Sequence, residues 1–267
     1  MNNLRTLLEA KKSKNEKILS IYLTAGFPDP QTTLLLLKTL AEAGVDLIEL
    51  GAPFSDPQAD GPVIQDASQQ ALRAGMKIPA LFPIIKEFRQ VSDVPVILMG
   101  YANPFMKYGW QRTVDEAVAA GANGFIIPDL PPEESRDFRE KCRKAELDLI
   151  FLVSPVTTVE RIAAISKMTT GFIYAVSVAG VTGERQHLPD ATTMFLHRLR
   201  EQTSQPVLVG FGVSNSETAK NLARISDGVI IGSAIIRLIS ESKNTKESCE
   251  KVSDFVRKIK LGLGECA

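Results

Sequence analysis

Three acidic residues stand close together in the stretch ELGAPFSDPQADGP, which follows directly on the short apolar run VDLI. Glu49 ends that run, and Asp56 and Asp60 lie in a loop that also contains three prolines. Asp, Pro and Gly are ordinary turn residues, so a solvated turn is one interpretation. The other interpretation is that two of the acids work as an acid–base pair, with either Asp56 or Asp60 as the partner of Glu49.

Glu49 is the strongest single candidate, because the strand-like run VDLIELG is otherwise almost entirely apolar. A carboxyl group there should be partly removed from water, which raises its pKa toward values useful in general acid–base catalysis. A structural salt bridge is the alternative. Asp60 lies between Ala59 and Gly61, where a fixed carboxylate could hold a substrate N–H group or stabilise a developing positive charge.

Two glycine-containing turns favour a phosphate group in the ligand. One turn carries Gly210 and Gly212, and the other carries Gly232 and Ser233. Glycine lets the backbone approach a ligand closely, and a helix that starts at such a turn offers free N–H groups to an anion. Neither turn contains lysine, so we expect a nest of backbone N–H groups. Ordinary turns with an N-cap serine are the alternative.

Apolar and aromatic residues near the ends of other runs could line a pocket above this nest, although each taken singly is more often core. These residues are Tyr22, Met99, Ile126, Tyr174 and Phe211. The long polar loop from Ala179 to Pro189 has the composition of a mobile lid that excludes water, with a plain surface loop as the alternative.

Eight repeated units must position these residues. Each unit is a short apolar run rich in β-branched residues, followed by a segment with a helical pattern. Near-continuous apolar runs of this length are typical of strands buried on both faces, as in parallel sheets. The eight runs begin at Ile18, Val45, Val94, Gly124, Leu147, Gly171, Pro206 and Asp227.

Helix signals separate the runs. Gly44 is a stop signal after QTTLLLLKTLAEA, the segment PPEESRDFREKCRKAE has proline at its start, and Ser214 with Glu217 has the spacing of a capping box.

Eight such units without a break in composition predict one (β/α)8 barrel domain over residues 1–267. We expect an extra N-terminal helix at Asn3–Lys14 over the bottom of the barrel, and extra helices after the second and eighth strands. An open doubly wound sheet is the weaker alternative, because Asn215 stands where the dinucleotide fingerprint needs its third glycine.

Composition excludes several classes of function. Lysine plus arginine equals aspartate plus glutamate at 31 each, and no basic block with interleaved aromatics is present, so a nucleic-acid partner is not expected. Cys142, Cys249 and Cys266 show no CxxC spacing and predict free thiols in a reducing compartment. His187 and His197 lack neighbours at metal spacing, so no metal site is expected. No run is long enough to span a bilayer, and we expect a cytoplasmic protein.

ELGAPFSDPQADGPVIQDA, together with YAVSVAGVTG, GFGVS and IGSAII, resembles the α subunit family of tryptophan synthase. The order and spacing match from IYLTAGFPDP through GSAIIRLI. The resemblance implies an aldolase-type lyase that cleaves indole-3-glycerol phosphate to indole and glyceraldehyde 3-phosphate. By this resemblance Glu49 protonates the indole ring at C3 and assists proton removal from the glycerol hydroxyl, while Asp60 binds the indole N–H. Tyr174 is expected to pack and hydrogen-bond beside Glu49.

The resemblance also assigns binding residues and a partner. Thr182 and Gly183 belong to the lid, and Gly183, Gly212, Gly232 and Ser233 hold the phosphate. The chain is expected to dock on a β subunit carrying pyridoxal phosphate in an α2β2 complex, and to need no cofactor of its own. The expected interface residues are Pro53, Asp56, Pro57, Asn103 and Asp129.

Two other functions remain open at this level. One is a different sugar-phosphate enzyme on the same barrel, such as an isomerase. The other is a barrel retained mainly to activate the β subunit, against which the intact Glu49 and Asp60 argue.

Overall fold

A computed structural model describes residues 3–176, 190–210 and 212–266. Nine parallel strands form one sheet in the order β5-β4-β3-β2-β1-β9-β8-β7-β6. All eight predicted runs contain strands. The strands are β1 (Ile18–Thr24), β2 (Leu47–Gly51), β3 (Val96–Met99), β4 (Gly124–Ile126), β5 (Asp148–Ile150), β6 (Leu152–Val153), β7 (Ile173–Val176), β8 (Val207–Gly210) and β9 (Gly228–Ile231).

The sheet closes at Phe151. β5 pairs only with β4 and β6 pairs only with β7, but the two segments are consecutive and separated by this one residue. The carbonyl of Phe151 accepts a hydrogen bond from the N–H of Tyr174 at 3.2 Å, which carries the pairing across the gap. β5 and β6 are thus one interrupted strand, and the sheet is an eight-stranded barrel, as the sequence predicts.

Twelve helices in the described part surround this barrel. They are α1 (Asn3–Ser13), α2 (Pro30–Ala43), α3 (Pro62–Arg73), α4 (Ile78–Phe88), α5 (Ala102–Tyr108), α6 (Trp110–Ala120), α7 (Arg136–Lys144), α8 (Val159–Met168), α9 (Asp190–Gln202), α10 (Ser216–Ala223), α11 (Ser233–Ser240) and α12 (Thr245–Gly264).

The expected extra helices are present. α1 covers the bottom of the barrel, where Leu4 and Leu8 join the core inside the strands and Arg5 forms an ion pair at 2.9 Å with the buried Asp148. Two helices, α3 and α4, follow β2, and two, α11 and α12, follow β9.

Local helix signals were less accurate than the strand pattern. Two helices, α5 and α6, also follow β3, and the break between them is at Gly109, which has a φ of 100°. The proline at 104 falls in the first turn of α5, where proline is tolerated. α7 begins at Arg136, since residues 131–135 form hydrogen-bonded turns. The cap of α10 is Asn215, whose side chain accepts from the N–H of Thr218 at 2.9 Å, so the capping box proposed at Ser214 and Glu217 is wrong.

Side chains alternate between the inside of the barrel and the helices. Ile18, Leu47 and Ile97 belong to the cluster inside the strands. Residues two positions further along each strand share the same face, so Ser20 on β1 and Glu49 on β2 point into the barrel. A much larger apolar cluster fills the space between the strands and the helices.

Cys142, Cys249 and Cys266 are free thiols, as predicted. Within residues 3–176, 190–210 and 212–266, no group of three His, Cys, Asp or Glu side chains could hold a metal ion. No helix in these ranges is long and apolar enough to cross a membrane.

Candidate active site

Glu49 lies on β2 with its side chain inside the barrel and no exposed surface. Its Oε1 accepts a hydrogen bond from the hydroxyl of Ser20 on β1 at 2.7 Å. Its Oε2 is buried and has no hydrogen-bond partner in the described part of the chain. Burial raises the pKa of Glu49 to about 7, while the hydrogen bond from Ser20 acts to lower it. Such a group can both give and take a proton near neutral pH.

Asp60 stands in the loop between β2 and α3, where it is partly buried. Its N–H donates to the carbonyl of Pro57 at 3.1 Å, and its own carbonyl accepts from the side chain of Gln65 at 2.8 Å. The hydroxyl of Tyr101 accepts from the N–H of Ala59 at 2.9 Å and so ties this loop to the end of β3. These bonds hold Asp60 in place within the chain itself.

The charge state of Asp60 follows from the same surroundings. Burial raises its pKa to about 6, and hydrogen bonding from Tyr101 acts in the opposite direction. Asp60 is therefore mostly ionised at neutral pH, unlike Glu49, so the two carboxyl groups differ in charge although they share one site.

Tyr22 and Tyr174 are buried phenols beside these acids. Burial raises the pKa of both, and the negative charges of Glu49 and Asp60 raise it further. Glycines on neighbouring strands leave room for the two rings. A Cβ on Gly51 would overlap the hydroxyl of Tyr22, and one on Gly210 would lie 2.7 Å from the ring of Tyr174.

The hydrogen bond expected between Tyr174 and Glu49 is not present in the described structure. Tyr174 lies close enough to Glu49 for the negative charge of the glutamate to raise the pKa of the tyrosine, after the larger effect of burial. Ser20 makes the hydrogen bond instead, because β1 is directly paired with β2, whereas β7 lies across the barrel.

Met99 and Ile126 are paired across β3 and β4, and both contact the inner core. Thr182, Gly183 and Phe211, the other residues expected to bind substrate, lie outside the described residues.

The expected phosphate site contains Gly212, Gly232 and Ser233. Gly212 adopts a φ of 64°, in the left-handed region that favours glycine. α11 begins at Ser233, and Gly232 before it supplies no side-chain cap. The first N–H groups of a helix have no partner within the helix, so this end can bind an anion.

The expected interface residues divide into two groups. Asp56, Asn103 and Asp129 are exposed, whereas Pro53 and Pro57 are buried in the chain itself. Asp129 also accepts a hydrogen bond from the N–H of residue 102 at 2.8 Å, at the start of α5. The loops after β2, β3 and β4 are thus joined at one end of the barrel.

Comparison with known proteins identifies the family. The family model of the tryptophan synthase alpha chain matches residues 8–262. This chain belongs to that family. A tryptophan synthase alpha chain of Geotalea uraniireducens is 42% identical over 98% of this chain and 98% of the relative. One of Dehalococcoides mccartyi is 44% identical over 94% and 96%.

Solved structures of the same family have the same fold. The tryptophan synthase alpha chain of Legionella pneumophila superposes with a TM-score of 0.91 at 35% identity, covering 99% of this chain and 98% of the other. A structure of Mycobacterium tuberculosis tryptophan synthase superposes with a TM-score of 0.89 at 33% identity, covering 97% of each chain. The predicted family and barrel are confirmed. A different sugar-phosphate enzyme on this barrel is not favoured, because the match to tryptophan synthase alpha chains extends over nearly the whole length.

Sequence patterns alone assign no role to Ser20 or to Tyr101, although Tyr101 is one of the polar residues at the end of a predicted strand. Side chains alternate along the strand ILSIYLT, and Ser20 is on the same face as Ile18 and Tyr22. A polar residue on the inward face of a barrel strand is the signal that could have identified Ser20. Tyr101 lies two residues after the end of β3, but its contact with the loop holding Asp60 joins residues 42 positions apart in sequence and forms only in the folded chain.

Proposed function

We propose that this chain cleaves indole-3-glycerol phosphate to indole and glyceraldehyde 3-phosphate, with Glu49 as the acid–base group. The observation that carries the proposal is the state of Glu49 in a chain of this family. Its carboxyl group is fully buried, its pKa is about 7, and one of its oxygens has no partner in the described residues.

The reaction needs one proton to enter and one to leave. The neutral carboxyl of Glu49 gives its proton to C3 of the indole ring, which leaves the ring as a cation. The ionised carboxylate then accepts the proton of the hydroxyl on the attached glycerol carbon. As that hydroxyl becomes the aldehyde, the carbon–carbon bond breaks and its electron pair restores the neutral aromatic ring. Glu49 is protonated again at the end, so no proton is lost or gained.

Asp60 stabilises the cationic ring. As an anion it accepts a hydrogen bond from the indole N–H, and this attraction is strongest when the ring carries positive charge. Its partial burial strengthens the interaction, because the effective dielectric constant is lower than in water. Tyr174 packs at the side of the same space.

The remaining contacts orient the substrate. Tyr22, Met99 and Ile126 provide apolar surface for the indole ring, and the N-terminus of α11 with Gly212 binds the phosphate. Thr182, Gly183 and Phe211 are part of the same proposal on the resemblance alone. No metal or cofactor on this chain enters any step.

The proposal extends to the assembly and the domain. The chain works as the α subunit of an α2β2 complex whose β subunit carries pyridoxal phosphate and receives the indole. The exposed Asp56, Asn103 and Asp129 lie on loops at one end of the barrel and would contact that partner, with Pro53 and Pro57 supporting the same loop. Residues 1–267 would form one cytoplasmic domain.

Indole release by the purified chain, with and without a β subunit, tests the proposal. Glu49→Gln and Asp60→Asn should each lower kcat by about a hundredfold or more, since acid–base groups and charge stabilisers contribute on that scale. Glu42→Gln and Asp66→Asn, which change exposed acids on α2 and α3, are the matched controls. Full activity of both active-site variants would exclude this mechanism.

A further inference from the structure

Ser20 and Glu49 form a hydrogen-bonded pair inside the barrel. Both residues have no exposed surface, and the hydroxyl of Ser20 lies 2.7 Å from Oε1 of Glu49. That length is the ordinary one for a well-formed O–H···O hydrogen bond. Tyr22, two residues beyond Ser20, is the register partner of Glu49, so the pairing of β1 with β2 fixes where the serine stands.

The pair makes the two oxygens of Glu49 unequal. Oε1 is occupied by Ser20, whereas Oε2 is equally buried and has no hydrogen-bond partner in the ranges that the structure describes. A serine hydroxyl carries a single proton, so it cannot serve both oxygens at once. An unpartnered buried carboxylate oxygen is costly unless a ligand supplies the missing hydrogen bond.

We propose that Ser20 is a positioning residue for Glu49: it holds Oε1 and leaves Oε2 as the atom that exchanges protons with the substrate. This inference rests on the proposed lyase reaction. The proton given to the indole carbon leaves from Oε2, and the proton taken from the substrate hydroxyl arrives on Oε2. Ser20 keeps its own proton throughout and does not touch the substrate.

The hydrogen bond from Ser20 also affects the equilibrium between neutral and ionised Glu49. Burial favours the neutral acid, and the hydrogen bond from Ser20 favours the carboxylate. The other groups near Glu49 cannot replace this donor. Tyr22 on β1 and Tyr174 on β7 make no hydrogen bond to it, and Ile97, its register partner on β3, is apolar. Asp60, from the loop after β2, is an acid and would oppose ionisation.

Without Ser20, Glu49 should therefore remain neutral to higher pH. The neutral carboxyl would also be a weaker acid, so the step in which it gives its proton to C3 of the indole ring would become slower. A carboxyl group freed at Oε1 could also rotate, and the proton would no longer sit on one defined oxygen.

Ser20→Ala tests the inference through two measurements. Carbon-13 NMR of protein labelled at the glutamate side-chain carboxyl, with Glu49→Gln used to assign the signal, follows the titration of Glu49 in the free chain. We expect the variant to raise the pKa of Glu49 by about one pH unit, the effect of losing a hydrogen bond to a charged group. The second measurement is kcat/KM for indole release against pH.

The direction of the kinetic change follows from the chemistry. Cleavage begins from neutral Glu49, so kcat/KM of the wild-type chain should fall as pH rises through about 7. In Ser20→Ala this fall should move up by about the same one pH unit, while kcat near neutral pH drops by about tenfold. Ser20→Thr, which retains the hydroxyl, should keep the wild-type titration.

Ser226→Ala is the matched control. Ser226 is also buried, and its hydroxyl donates toward the backbone carbonyl of Leu222 at 2.8 Å, with the carbonyl of Gly228, the first residue of β9, at 3.0 Å, away from Glu49. The Ser226→Ala variant should be less stable, but the pKa of Glu49 and the pH at which kcat/KM falls should both stay at their wild-type values. An unchanged or lowered pKa of Glu49 in Ser20→Ala would overturn the inference. If the wild-type chain released no indole, the proposed function would fail, but the NMR titration would still decide the role of Ser20.

Discussion

The ring of Tyr174 on β7 lies against Gly210, the last residue of the neighbouring strand β8. A Cβ on Gly210 would lie 2.7 Å from the ring atom Cε1 and 2.8 Å from the hydroxyl oxygen. Atoms of this kind do not approach so closely, so any larger residue at 210 must move the tyrosine or the strand. Gly210 is thus the reason that Tyr174 can lie beside the acids of the site.

Gly210→Ala should therefore affect both stability and activity. We expect a loss of about 1–3 kcal/mol in the free energy of unfolding, the usual cost of overpacking a core, and a fall in kcat/KM as Tyr174 shifts. Urea unfolding and indole release measure the two effects. Gly264→Ala, at the end of α12 with nothing near its added Cβ, should lower neither. In a Tyr174→Ala background, Gly210→Ala should lower the free energy of unfolding by less than in the wild-type chain. An equal loss in both backgrounds would show that residue 210 and the tyrosine ring do not interact.

The burial of Glu49 predicts a dependence of stability on pH. Its pKa is about 7 in the folded chain and near its ordinary value of 4.5 in the unfolded chain. Between these values the folded state holds a proton that the unfolded state has lost, so the stability contributed by Glu49 is present below pH 4.5 and is lost as pH rises to 7. The difference is on the order of 3 kcal/mol.

Glu49→Gln should remove this dependence, because glutamine does not ionise. The variant should be more stable than the wild-type chain at pH 8 by up to about 3 kcal/mol, with little difference near pH 5. Urea unfolding of both proteins at the two pH values is the measurement, with Glu42→Gln as the exposed control. A constant difference between Glu49→Gln and the wild-type chain at both pH values would show that Glu49 is not a buried acid with a raised pKa.

The sequence predicts the barrel because its signals are local and repeated. The apolar runs identify every strand, and Glu49 stands out as an acid in one of them. The roles of Ser20 and Tyr101 need more than local pattern. Ser20 meets Glu49 only through the register of β1 on β2, and Tyr101 meets the loop of Asp60 only after β3 takes its place beside β2. Register and loop contacts depend on the whole fold.

The exact ends of helices also depend on the fold around them and not on local pattern alone. The pattern around Ser214 fits a capping box, yet the neighbouring Asn215 is the cap. Both residue types are good caps, and the choice between them is set by where β8 ends and α10 must begin.

The hydrogen bond from the N–H of Ala59 to the hydroxyl of Tyr101, at 2.9 Å, gives a further prediction. Tyr101→Phe keeps the ring, which packs at 5.3 Å from that of Phe54, but loses the hydroxyl. The loop of Asp60 should loosen and the pKa of Asp60 should rise, because Tyr101 lowers it. We expect kcat/KM to fall by about tenfold, corresponding to about one hydrogen bond.

The measurement for Tyr101→Phe is kcat/KM for indole release from low to neutral pH. Ionised Asp60 is required, so activity should be lost on the acid side at a higher pH than in the wild-type chain. Tyr108→Phe, which removes a hydroxyl bonded to Glu116 on the outer helices, is the control. If activity is lost on the acid side at the same pH in Tyr101→Phe as in the wild-type chain, Tyr101 does not control the ionisation of Asp60.

The N-terminus of α11 gives the last prediction. Ser233 is the first residue of this helix, and the first N–H groups of a helix have no partner within the helix, so they can bind a phosphate. Ser233→Ala removes one hydroxyl donor and should raise KM about three- to tenfold with a small change in kcat, since the phosphate is bound equally in the ground and transition states. Inhibition by inorganic phosphate should weaken by a similar factor. Ser240→Ala changes the exposed serine at the other end of the same helix and is the matched control. A fall in kcat with KM and phosphate inhibition unchanged would mean that Ser233 acts on the reacting carbon atoms and not on the phosphate.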